Sequence, residues 1–235
     1  MATRLEGPRL EPASGRARQL VVFLHGYGAS GDDLIAIGSQ WAAALPDAAF
    51  VSPSAPEPCE HMAEGRQWFR LTDRNPHERW AGCVSAAPHI DAFLDAELAA
   101  RGLGDDALAL VGFSQGAMMA LHVGLRRRRP PAGILAYSGV LVGPEKLEEA
   151  VAGRGPQDLP AIFLVHGSHD DVIPAEALFS SAGALAEAGV PAQWRLCMGL
   201  AHGIDGSGLH HGAVWLARAF GLPYPQALRR PHPRR

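Results

Sequence analysis

A serine held between two glycines, at the point where an apolar run gives way to a helix-favouring one, constrains this chain more than any other feature. Ala107-Leu108-Ala109-Leu110-Val111 leads into Gly112-Phe113-Ser114-Gln115-Gly116, which leads into Ala117-Met118-Met119-Ala120-Leu121. A strand that turns this sharply into a helix needs positions without side chains where the two elements cross, and it carries the residue at its tip on strained backbone. Ser114 would then project its hydroxyl outward. The amide of Gln115 would lie at the helix N-terminus, where unpaired N–H groups and the positive dipole end stabilise a developing oxyanion. The competing reading is an ordinary strand-to-helix turn with an idle serine. The setting between strand and helix favours the elbow.

A serine hydroxyl is a weak nucleophile at neutral pH, so this chemistry requires a histidine base and an acid to orient it. The apolar run Ala161-Ile162-Phe163-Leu164-Val165 opens into His166-Gly167-Ser168-His169-Asp170-Asp171, which offers two adjacent acids. Further on, Gln193-Trp194-Arg195-Leu196-Cys197 runs into Met198-Gly199-Leu200-Ala201-His202-Gly203, with His202 as the candidate base. Serine, acid, histidine is the chain order of the α/β-hydrolase triad and not that of the chymotrypsin or subtilisin arrangements. The second oxyanion donor is expected after an early strand. Leu20-Val21-Val22-Phe23-Leu24 ends in His25-Gly26-Tyr27-Gly28-Ala29-Ser30-Gly31-Asp32-Asp33, and the Tyr27 amide is the candidate. Asp32 or Asp33 can cap the following helix in the same loop. The glycine spacing fits neither a dinucleotide fingerprint nor a P-loop.

Taken together, His25-Gly26-Tyr27-Gly28, Gly112-Phe113-Ser114-Gln115-Gly116, His166-Gly167 with Asp170, and Ala201-His202-Gly203 resemble the phospholipase/carboxylesterase family of α/β-hydrolases, which includes bacterial carboxylesterases and acyl-protein thioesterases. The resemblance runs from Gly7-Pro8-Arg9-Leu10 to about Phe220. It implies a triad of Ser114, Asp170 and His202, an oxyanion hole from the Tyr27 and Gln115 amides, and no metal or organic cofactor. At Trp68-Phe69-Arg70 the chain departs from the Trp-Phe-Asp of the acyl-protein thioesterases, which points away from a lipidated-protein substrate.

Alternating apolar runs and helical patterns indicate a mostly parallel central sheet with helices on both faces, an α/β-hydrolase fold over residues 1–228 as a single domain. Strands are expected at Leu20–Leu24, Ala49–Ser52, Ala107–Val111, Gly133–Tyr137, Ala161–Val165 and Ala192–Cys197, with an antiparallel edge strand near Arg4–Leu10. Helices are expected at Asp32–Ala44, Val84–Ala100, Gln115–Leu125, Ala175–Ala188 and Leu209–Phe220. The basic, proline-containing segment 229–235 reads as a disordered tail. A long irregular stretch, Pro53 to Trp80, is rich in proline yet carries Trp68 and Phe69, which are expected either to line the substrate pocket or to pin the loop to the core. Arg126-Arg127-Arg128-Arg129 reads as a solvated cap on the helix that follows Ser114.

At 235 residues and 47% hydrophobic content the chain can bury one substantial core. A net charge of −3 argues against nucleic acid as a partner. No stretch approaches a membrane span, and the N-terminus lacks the apolar core of a secretory signal, so a cytoplasmic location is expected. The three cysteines, Cys59, Cys83 and Cys197, read as reduced thiols. The expected activity is that of a serine carboxylesterase on small-molecule esters, working through an acyl-enzyme. The alternatives are a thioesterase or lysophospholipase on longer acyl chains, and a catalytically silent hydrolase-like binding protein. A homodimer is left open.

Overall fold

A computed structural model describes residues 3–228; the tail expected at 229–235 lies outside the described residues. Seven strands form the main sheet. In chain order these are β1 (Arg9–Leu10), β2 (Gln19–Leu24), β3 (Ala48–Val51), then, after a two-stranded ribbon of β4 (Glu57–Pro58) and β5 (Arg66–Gln67), β6 (Leu108–Phe113), β7 (Gly133–Tyr137), β8 (Ala161–Gly167) and β9 (Ala192–Cys197). The spatial order is β1-β3-β2-β6-β7-β8-β9, parallel throughout except for β1 against β3. Strands β2, β3 and β7 are buried along their whole length, and β6 and β8 nearly so. Parallel strands covered on both faces read as unbroken apolar runs, which is how the sequence announces them.

Residue alternation on β2 assigns the two layers. Val22 and Leu24 face α2 (Pro76–Arg101), α3 (Gln115–Arg126) and α5 (Glu176–Glu187), packing with Ile90, Leu121 and Leu178. Val21 and Phe23 face α1 (Gly31–Trp41) and α6 (Gly206–Ala219), packing with Ile37, Trp41 and Leu216. A short α4 (Leu147–Val151), not foreseen in the sequence, completes the helices. Among the described residues no helix is long and apolar enough to cross a membrane.

Three expectations need correction. The edge strand expected near Arg4–Leu10 shrinks to Arg9–Leu10, because Pro8 has no N–H to give the ladder; its carbonyl still accepts from the Ser52 amide at 3.1 Å. Helix α2 begins at Pro76, eight residues before the expected start. Asn75 caps it by accepting from the Glu78 amide at 2.8 Å, and Pro76 fills the first turn, where no N–H partner is needed. The irregular stretch therefore ends at residue 75 and contains the β4–β5 ribbon. Finally, Arg127 is no solvated cap. Its side chain is only 8% exposed and pairs with Asp91 at 2.9 Å, Asp95 at 2.7 Å and Asp105, tying α3 to α2 and to the turn before β6.

Candidate active site

The C-terminal ends of β2, β6, β8 and β9 bring together the loops that the sequence singled out, at the edge where ligands of parallel α/β sheets bind. At the tip of the β6–α3 turn, Ser114 takes φ 54° and ψ −115°, a conformation that costs a non-glycine residue free energy and aims its side chain out of the sheet. Its own amide donates to the Tyr137 carbonyl at 2.9 Å, which pins the turn to β7. The flanking glycines are required by close approach. A Cβ on Gly112 would meet the Gly116 carbonyl, and one on Gly116 would meet that of Leu24.

Asp170 follows β8 and is buried; Asp171 is exposed. The Oδ1 atom of Asp170 accepts from the amides of Val172 at 3.0 Å and Ile173 at 2.8 Å. Its Oδ2 lies 2.8 Å from His202 Nδ1. Burial by itself would raise this carboxyl, but the Ile173 amide, His202 and the Val172 amide outweigh it and hold the group below the usual aspartate value. An ionised carboxylate only accepts, so Nδ1 of His202 carries the hydrogen and Nε2 of the neutral ring is left with a free lone pair. The ring packs against Phe113 with centroids 4.9 Å apart. His202 and Ser114 line one cavity of about 230 Å³, although no hydrogen bond joins them among the described residues. Such contacts are often long in unliganded sites and tighten with substrate.

Tyr27 and Gln115 border the same cavity, and neither backbone N–H has an acceptor among the described residues. Two free amides beside a projecting hydroxyl can receive an oxyanion. The loop that carries Tyr27 is fixed by buried His25. Its Nδ1 donates to the Gly26 carbonyl at 2.7 Å, and its Nε2 accepts from the Ala55 amide at 2.9 Å. Burial lowers the His25 pKa, in keeping with a neutral ring that both donates and accepts.

Trp68 and Phe69 are absent from the cavity wall. They are 1% and 4% exposed and belong to the core between the sheet and α2 and α3. The Trp68 indole donates to the His25 carbonyl at 2.9 Å, so its polar edge is satisfied inward. The pinning role therefore prevails over the pocket wall. That wall is formed by Leu71, Met118, Val172 and Ile173, together with Arg74 and Arg79. Arg70, where the sequence departs from the thioesterase pattern, points to solvent and pairs with Glu60 at 3.2 Å.

The sequence reading missed the role of the Gln115 side chain and the contact of His166 with the acid, although a histidine ending a strand was expected to hydrogen-bond a neighbouring loop. The Gln115 side chain reaches back to the aromatic loop, accepting from the Trp68 amide at 2.9 Å and donating to the Phe69 carbonyl at 2.7 Å. His166 Nε2 donates to the Ile173 carbonyl at 2.8 Å and lies 3.2 Å from Asp170 Oδ2. Its place at the end of β8, four residues before the acid, was the available signal.

A family model described as Phospholipase/Carboxylesterase matches residues 5–217. Esterase YpfH of Escherichia coli is 30% identical over 190 residues, which cover 80% of this chain and 78% of the relative. Acyl-protein thioesterase 1 of Schizosaccharomyces pombe is 30% identical over 169 residues, covering 70% and 73%. Among solved structures, esterase PE8 superposes with a TM-score of 0.87 at 42% identity, over 92% of this chain and all of that one.

Proposed function

The chain belongs to the phospholipase/carboxylesterase family of α/β-hydrolases, a family of carboxylic-ester hydrolases, and we propose that it hydrolyses short carboxylic esters through an acyl-enzyme on Ser114. The observation that carries this reading is the cavity in which a strained serine, a histidine oriented by a buried carboxylate, and two unpaired amides converge.

In this reading Nε2 of His202 takes the Ser114 proton as Oγ attacks the ester carbonyl. The carbonyl oxygen gains negative charge and moves onto the Tyr27 and Gln115 amides, while Asp170 stabilises the imidazolium. The imidazolium then returns its proton to the leaving alkoxide. Water deacylates the serine by the same route, with His202 again as base. Short substrates are favoured because a cavity of about 230 Å³ falls below the range of roughly 300–1,000 Å³ usual for ligand clefts. The aromatic pair that was the candidate contact for a long acyl chain is also buried.

The test is labelling with a fluorophosphonate probe together with turnover of 4-nitrophenyl acetate and butyrate. Wild type should label at one site, and Ser114→Ala should lose both labelling and turnover while keeping its melting temperature. Labelling that survives in Ser114→Ala would displace Ser114 as nucleophile. A wild-type protein that neither labels nor turns over would be the silent binding protein.

A further inference from the structure

Among the described residues, the cavity at Ser114 and His202 is lined by two cations, Arg74 and Arg79, and by no carboxylate. Elsewhere the fold gives its enclosed arginines partners, carboxylates for some and main-chain carbonyls for others such as Arg66 and Arg154. Arg127 has three aspartates, and Arg101 is held by Glu97 and Glu11. Arg79 differs. Its Nε is buried without a hydrogen-bond partner, and no hydrogen bond or ion pair within the described residues reaches any of its guanidinium nitrogens. The Nε atoms of Arg101 and Arg195 are also unpaired, but each of those guanidiniums is bonded through its other nitrogens. A guanidinium stays charged and offers five donors in a fixed fork, so leaving it partly buried and unmatched is costly unless something else supplies the acceptors.

Arg74 is placed by a built device. It takes φ 55°, and the Glu78 carboxylate accepts from the amides of Thr72 at 2.7 Å, Asp73 at 3.0 Å and Arg74 at 2.6 Å, fixing the backbone just ahead of the Asn75 cap. Arg74, which is exposed, stands just ahead of α2 and half-buried Arg79 in its first turn, and both line a cavity whose remaining surface is largely apolar. A neutral aliphatic ester would leave Arg79 unmatched.

We propose that the ester handled at this site carries an anionic oxygen group, of which a carboxylate is the simplest case, and that this group docks on Arg79 with Arg74 beside it. The inference rests on the ester-hydrolase reading above and narrows it to one class of substrate: half-esters of dicarboxylic acids, or esters whose alcohol part bears the acid. A carboxylate matches the guanidinium fork through two parallel N–H···O bonds, which supplies position as well as attraction. Anchoring the far end of a short substrate in this way would hold its carbonyl against Ser114 and the two free amides.

The experiment compares kcat/KM within two matched pairs at pH 7.5. Monomethyl adipate against dimethyl adipate, corrected for its two equivalent esters, places the charge on the acyl side. The 4-acetoxybenzoate anion against 4-acetoxybenzamide places it on the alcohol side. In wild type one pair should favour the anion by about tenfold or more, the scale of a hydrogen bond to a charged group. That ratio should shrink in 0.5 M NaCl, fall towards 1 in Arg79→Gln and return in part in Arg79→Lys. Melting temperatures check that the variants fold, and the wild-type ratio and its salt dependence stand without them. If both neutral esters are hydrolysed but neither anion is preferred, or if Arg79→Gln keeps the wild-type ratio, the inference fails and the ester reading survives. If none of the four compounds turns over, both fail.

Discussion

The side chain of Gln115 bonds both main-chain groups that flank the Trp68–Phe69 peptide, through the Trp68 amide at 2.9 Å and the Phe69 carbonyl at 2.7 Å. One residue therefore offers its own backbone N–H to the cavity and uses its amide side chain to hold the loop beneath it. Gln115→Leu keeps the backbone donor but strips two buried peptide groups of their partners, at a cost of roughly 1–3 kcal/mol each. Urea unfolding should show a loss on the order of 2–6 kcal/mol, with kcat/KM falling as the loop loosens. An unchanged midpoint would mean that water or a shifted side chain satisfies those groups.

Trp68 is buried beside His25, with ring centroids 5.3 Å apart and its indole N–H on the His25 carbonyl. Its truncation is accordingly a core deletion. Trp68→Ala should destabilise by about 3–5 kcal/mol, as large-to-small changes of an aromatic do. The loss of kcat/KM should be uniform across an ester series from acetyl to octanoyl, because the residue supplies no wall to the substrate. A penalty that grows with acyl length at unchanged melting temperature would return Trp68 to the pocket.

The difference between the Ser114 elbow and Trp68 shows what the sequence could reveal. Strand β6, the glycines and α3 are local, and burial on both faces turned strands β2, β7 and β8 into apolar runs that mark their own positions. An aromatic in an irregular loop has no periodicity to say whether it faces the core or a cavity, so Trp68 stayed ambiguous until its partners were known. The start of α2 was legible in principle, since Asn75-Pro76 followed by Glu78 is a capping pattern, but the polar, proline-rich surroundings masked it. Arg127 could not be read at all. Its partners lie 22 to 36 residues away and meet it only through the packing of α2 on α3.

Two aspartates adjoin in the loop after β8, and only Asp170 reaches His202. Asp170→Asn keeps the shape but can no longer hold the imidazole in the required tautomer as a charged acceptor. Turnover should fall by about 10⁴, as in serine-protease triads. Asp171→Asn should cost far less, since that side chain is exposed and bonds none of the site's groups among the described residues. Steady-state kinetics on 4-nitrophenyl butyrate separates them, and equal losses would mean that the acid has been misassigned.

Three buried groups whose pKa values are lowered, Asp170, His122 and His25, make stability depend on pH in the same direction. Asp170 is held below its usual value, so its contribution is complete above the unfolded carboxyl pKa of about 3.9 and disappears as pH falls through the lower folded value. His122, packed on Trp80 with ring centroids 5.2 Å apart, is lowered to about 4, by burial first and by the nearby Arg126 charge second. Between pH 6.5 and about 4 the unfolded chain binds a proton at His122 that the folded chain refuses, so stability must decline as pH falls across that interval. The decline can reach about 3 kcal/mol if the full shift is expressed. Urea titrations followed by tryptophan fluorescence from pH 4 to 8 should show that slope in wild type and a flatter one in His122→Gln over the same interval. The loss of the Asp170 contribution, confined below about pH 4, should persist in that variant when the titration is extended below pH 4. A His122→Gln profile that retains the wild-type slope above pH 4 would place the responsible titration on another group.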